Sequence, residues 1–206
     1  MRKYISFFLL GILSLVGLGA AVLGIVQGKS ATSLGQAVAN TLGAPNYSEY
    51  LVETTPQGNQ NASLVYQAPD RLGGWLQSAG RRTYLVIIGT TEYISVTQPA
   101  KSTTPPLSFY SQQTTGAQAV DPAHTYLPYY NKGPATKSGS VTTVTLSQGG
   151  QTEHLTYTVT GNYVSNFKAV TPGGTINLAI SKLGTSPAVA LPKGAKIVAA
   201  PTQSAG

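Results

Sequence analysis

From position 46 to about 97, and again from 140 to 181, apolar residues take every second position in short runs that end on Gly, Pro or Asn turns. A period of two marks half-buried β-strands, because successive side chains point to opposite faces. No helical pattern separates one run from the next in either block. The βαβ rhythm of a parallel sheet is therefore missing, and short turns predict antiparallel meanders. NYSEYLVETTP places Tyr50 and Val52 on one face and Glu49 and Glu53 on the other. ASLVYQAP groups Ala62, Leu64 and Tyr66, and LGGWLQSAG carries the only Trp, Trp75. RRTYLVIIG, with Leu85 and Ile87, is apolar enough for burial on both faces. TTEYISVTQP adds Ile94 and Val96, with Glu92 and Tyr93 opposite. Four later strands contribute Leu155, Tyr157 and Val159, then Ile176, Leu178 and Ile180.

Two stretches follow a helical pattern instead. Residues 30–43 place Leu34, Val38 and Leu42 at four-residue spacing, with Thr32 or Ser33 as a cap and Gly43 as the stop. Between 98 and 140 the chain is rich in Pro, Thr, Gln and Gly, a long insertion of the kind that covers a site. Inside it, DPAHTYLPYY offers Asp121 as a cap and Pro122 at the first helical position. That places Tyr126, Tyr129 and Tyr130 on a lid. The expected fold is mainly β (α+β): nine strands in one highly curved antiparallel sheet, an unclosed half-barrel. The N-terminal helix and the helical insertion would bury their apolar faces on its concave side.

Charged residues make up only 9% of the 206, with 23 Gly and 13 Pro, which suits an envelope or secreted β protein better than a helical cytosolic enzyme. There is no Cys, hence no disulfide, no thiolate metal site and no acylated cysteine. The net charge is +7, but the cations are scattered, and beyond Arg2 and Lys3 only Arg81 and Arg82 adjoin. A nucleic-acid partner is not expected from such a distribution. A mildly basic surface suits anionic lipid heads or wall polymers. Arg2 and Lys3 precede an uncharged run over 5–26, long enough to cross a bilayer core. Residues 1–28 are read as a signal-anchor attaching the chain to the cytoplasmic membrane, or as a signal peptide cleaved near Gly28. Residues 29–200 would form the extracytoplasmic domain in the cell envelope, and 201–206 a frayed tail.

Catalytic patterns do not assemble. His124 and His154 have no evident acidic partner, and a metal centre or cofactor is not expected. Ser165-Asn166-Phe167-Lys168 spaces like a penicillin-binding motif but sits in a strand rather than at a helix start. Glu49, Glu53, Glu92 and Glu153 read as solvent-facing strand residues rather than an acid–base pair. The chain is not expected to be an enzyme.

Residues Tyr66-Gln67-Ala68-Pro69-Asp70-Arg71 close one strand on a Pro-Asp-Arg corner. Pro69 cannot donate to a β-ladder and ends it, so the corner itself reads as a turn. With Arg82 to Gly89, Thr91-Glu92-Tyr93, Gly161 to Val164 and Ser181 to Pro192, it resembles the LolA/LprG-like superfamily. These are bacterial lipoprotein-localisation factors and mycobacterial LppX/LprG-type envelope lipoproteins. The resemblance implies an unclosed barrel with a helix-covered concave cavity that takes acyl chains in several members. A lipid or another hydrophobic molecule is the expected partner. The cavity wall would be Tyr50, Val52, Leu64, Tyr66, Trp75, Leu85, Ile87, Ile94, Val96, Leu155, Tyr157, Val159, Ile176, Leu178 and Ile180. The alternative is a structural or sensory ectodomain with a closed core that binds an envelope protein. Each strand's set depends on its parity, and a one-residue slip inverts it.

Overall fold

The computed structural model describes residues 29–102, 104–148 and 150–199. The expected anchor or signal at 1–28 and the tail at 201–206 lie outside the described residues. Helix α1 spans Lys29–Leu42, starting earlier than the cap expected at Thr32 or Ser33. Strands β1 (Asn46–Thr55), β2 (Gly58–Gln67), β3 (Arg71–Ser78), β4 (Arg81–Ile88) and β5 (Thr91–Ser95) follow as a meander. The insertion holds β6 (Gln98–Pro99), β7 (Ser108–Gln113), α2 (Ala117–Val120), α3 (Pro122–Tyr126) and a 3-10 turn at Leu127–Asn131. Next come β8 (Ala135–Ser138), β9 (Val141–Gln148), β10 (Gln151–Thr160), β11 (Tyr163–Thr171), β12 (Gly174–Ser181) and β13 (Lys196–Ile197).

All thirteen strands join one sheet in the order β13-β7-β5-β4-β3-β2-β1-β12-β11-β10-β9-β8, with β6 beside β4. The ends do not meet, so the curved sheet stays an open half-barrel. Two expectations change. The insertion is partly sheet, since β7 pairs with β5 and β8 with β9. The closing segment also ends as a strand, and β13 runs parallel to β7 in an otherwise antiparallel ladder. The two meanders meet where β1 pairs β12, from Ser48 opposite Ser181 to Thr54 opposite Thr175.

The concave face holds the core. Tyr47, Leu51, Tyr66, Leu72, Ile87, Tyr157, Phe167 and Leu178 are all fully buried there. Helix α1 lays Leu34, Ala37 and Val38 on it, as their helical spacing predicts. Thr41 ties the helix down: its Oγ1 donates to the Ala37 carbonyl and accepts the Val164 N–H at 2.9 Å. On the convex side, Val86 and Val189 are also buried, because residues 186–189 cross the outside of the sheet as a strap. This bears out two-faced burial of β4. Gly73 makes room for the strap, since any side chain there would meet Val189.

The Pro-Asp-Arg corner is a turn, with a cis Ala68–Pro69 bond. The Tyr66 hydroxyl donates to the Pro69 carbonyl, and the Gly89 N–H to that of Asp70. Arg71 is more than a local partner: its guanidinium donates to the Val189 carbonyl at 3.2 Å and braces the strap.

Candidate functional site

Most of the expected wall lies on the concave face. Leu64, Tyr66, Leu85, Ile87, Ile94, Leu155, Tyr157, Ile176, Leu178 and Ile180 are buried in the core, and Val159 packs against it. Tyr50, Val52, Trp75 and Val96 do not join them. In β1 the buried residues are Tyr47, Glu49, Leu51 and Glu53, so Tyr50 and Val52 point outward. Both parities of β1 offer apolar side chains, and the glutamates are what misled. Trp75 sits on the convex side with Tyr50, ring centroids 6.4 Å apart. Val96 falls beyond the end of β5 and is 49% exposed.

Three carboxylates expected at the surface are buried instead: Glu49, Glu53 and Glu92. The lid explains Glu49. Its Oε1 accepts the Ala123 N–H at 3.0 Å, and its carboxyl is hydrogen-bonded to Asp121. Asp121 is fully buried, and its Oδ2 accepts from the Tyr47 hydroxyl at 2.7 Å and the His124 backbone N–H at 3.0 Å. His124 Nδ1 stands 2.7 Å from the same oxygen. His124 therefore has the acidic partner that it was expected to lack. The signal was available: Asp and His three apart at a helix start face each other. Glu49 Oε2 and Asp121 Oδ1 are both buried with no donor from another protein group. Burial, then the neighbouring Asp121, holds the Glu49 carboxyl well above the usual carboxylate range, against the Ala123 N–H that favours ionisation. The hydroxyl of Tyr66 accepts from Gln118, and its ring stacks on Tyr47 at 5.0 Å, extending the network to α2.

The lid tyrosines differ from one another. Tyr126 is buried and stacks on Phe167 at 5.6 Å, and Tyr157 meets the same ring edge-on at 5.1 Å. Tyr129 and Tyr130 are partly buried against the core, and Tyr130 lies over Gly35 of α1. Glu53 Oε2 and the hydroxyls of Tyr126 and Tyr157 are buried without a protein partner. Burial raises both phenols, and Glu53 pushes Tyr126 further.

Burial also raises Glu53 and Glu92, the latter opposed by the Gln112 amide donating to it. These groups hold protons in the fold that the unfolded chain releases above the ordinary value of 4.5. Their contribution is complete below that value and is lost as pH climbs through the raised folded values. The melting temperature is therefore expected to be lower at about pH 8 than at about pH 5, and Glu53→Gln to flatten the slope. A melting temperature that is level or rising across that window would count against neutral buried carboxyls.

Open volume lies to the side of the lid. A cleft of about 510 Å³ separates α1 from the β8–β9 and β10–β11 turns. Leu34, Ala37 and Val159 form its apolar floor; Asn40, Ser140 and Asn162 are polar; and Lys137 supplies a cation. The Asn40 amide donates to the Asn162 carbonyl at 2.9 Å and fixes one wall. Sequence reasoning missed this site because its residues come from a helix and two turns that only the fold brings together. Among the described residues no group of three His, Cys, Asp or Glu could hold a metal ion.

The fold and site thus define an open β half-barrel with a helical cover and an amphipathic side cleft. No protein-family model matches the sequence, and no curated protein does. Among solved structures the chain is similar to LprF from Mycobacterium bovis, at 13% identity and a TM-score of 0.48, covering 84% of this chain and 100% of that one. It is also similar to the Mycobacterium tuberculosis lipoprotein LppX, at 11% identity and a TM-score of 0.49, covering 78% and 97%. LppX is one of the proteins that give their name to the group whose motifs the sequence resembles.

Proposed function

We propose that the chain is an extracytoplasmic binding protein for a lipid or another hydrophobic ligand, tethered to the cytoplasmic membrane through residues 5–26. The side cleft carries this reading. Its volume, about 510 Å³, falls in the range of roughly 300–1,000 Å³ that holds small-molecule ligands. An apolar floor with a rim of amides, hydroxyls and one lysine suits an amphiphile, its chain on Leu34, Ala37 and Val159 and its head near Lys137. Each methylene buried there would contribute roughly 0.8 kcal/mol. The unpartnered Glu53, Tyr126 and Tyr157 atoms beneath the lid are the polar groups that a ligand entering along the concave wall would meet. No nucleophile, acid–base pair or metal is required, and the role is binding rather than catalysis.

One observation favours a second reading. Ala123 and Leu127 are fully buried and Tyr126 nearly so, filling the space under the lid with side chains. A core packed in this way suits a structural or sensory ectodomain with a protein partner. Mass spectrometry of organic extracts from the protein purified out of its own membrane separates the two. A stoichiometric lipid is the expected result. Ser140→Trp, at an exposed position on the cleft rim, is expected to abolish uptake of a fluorescent fatty acid while leaving the melting temperature unchanged. An empty extract together with no uptake by the wild-type chain would sink the binding role.

A further inference from the structure

We propose that the convex face of the sheet is a docking surface for an acidic polysaccharide. The inference starts from where the carboxylates are. Glu49, Glu53 and Glu92 are buried within. Glu153 shares the Leu155 side of β10, Asp121 caps α3, and Asp70 lies in the β2–β3 turn. Those are all six acidic residues of the chain, so no carboxylate points outward from the sheet. The basic residues are not sequestered in this way, and the outer face has only positive charge.

Register organises what that face presents. One cross-strand ladder begins at Lys168 on β11 and ends at Arg82 on β4, with Asn177, Val52, Asn61 and Gln77 between them. It crosses six strands, and five gaps of about 4.8 Å make it about 24 Å long. The neighbouring ladder carries Tyr50, Trp75 and Tyr84, with Ser63 between the first two. The Arg82 guanidinium lies 4.2 Å over the Trp75 ring and donates to Gln77 at 3.0 Å, which holds the cation against the ring. Tyr50 is 45% exposed. The strap crosses β3 at Gly73, two residues before Trp75.

This is a platform for a particular chemistry. Aromatic faces accept the C–H faces of sugar rings, and Asn and Gln both donate to and accept from hydroxyls. Cations at the two ends receive carboxylate or phosphodiester groups. A nucleic acid carries a charge at every unit and calls for denser cations than two at the ends of a ladder. A bilayer calls for apolar groups that protrude, whereas Trp75 packs beside Tyr50 and the Arg82 guanidinium among amides. A polyhydroxylated chain with sparse anionic groups fits both the charge spacing and the amides.

The test uses the full chain in a neutral detergent, with polygalacturonate, dextran and phosphatidylglycerol vesicles as probes. Salt-sensitive binding to polygalacturonate is expected, with little to dextran. Trp75→Ala should weaken it about tenfold or more, as loss of a central aromatic anchor does. Tyr50→Ala and Lys168→Glu alter exposed side chains without threatening the fold, and each should also weaken binding, whereas Ser140→Trp in the side cleft should not. Equal binding to dextran, binding to the vesicles but not to polygalacturonate, or wild-type affinity in both Tyr50→Ala and Lys168→Glu would overturn the proposal.

Discussion

Asp121→Ala is expected to destabilise the protein by about 3–5 kcal/mol, the usual cost of removing one partner from a buried charged cluster. The residue is fully buried and joins three parts of the molecule. It caps α3 through the His124 N–H, accepts the Tyr47 hydroxyl from β1, and raises the Glu49 carboxyl beside it. Its loss strands a buried phenol, a buried carboxyl and a helix N-terminus together. Tyr47→Phe removes one donor only and should cost about 1 kcal/mol. Urea unfolding of the three proteins measures the difference. If Asp121→Ala costs no more than Tyr47→Phe, the cluster does not hold the lid to the sheet.

Phe167→Ala should cost a similar amount, about 3–5 kcal/mol, by a different route. Its ring lies flat beneath Tyr126 and edge-on to Tyr157, and it is 1% exposed. Truncation leaves a void that two large rings border, and rigid neighbours collapse poorly into such a space. Lid and sheet touch through this ring, so the loss should be uneven. Amide exchange over 117–131 is expected to quicken more than exchange over β1 and β2. Uniform acceleration would mean that the lid and sheet open only together.

The strands were legible because alternation survives in single sequences wherever one face is plainly apolar. β2, β10 and β12 gave their inward residues correctly for that reason. β1 did not, because Tyr47 and Leu51 on one side compete with Tyr50 and Val52 on the other. The glutamates decided the choice, and a glutamate faces solvent only if it is ionised and unpartnered. Glu49 is neither, and its partner Asp121 lies far along the chain in a segment with no alternation at all. In β3, Trp75 drew the apolar face to itself, although Leu72 and the Leu76 side chain lie inward. The turn at Pro69 was readable from its residues, whereas the reach of Arg71 to the strap was not. The side cleft had no linear signature either.

The seam between β1 and β12 also governs when the molecule becomes complete. Each meander is built from neighbours in sequence and can form early, but Ser48 and Ser181 meet across about 130 residues. Closing so large a loop is slow compared with forming a hairpin. Until Gly174–Ser181 arrives, the middle strand of the finished sheet has an open edge. A strand from near the end of the chain thus protects the first one made.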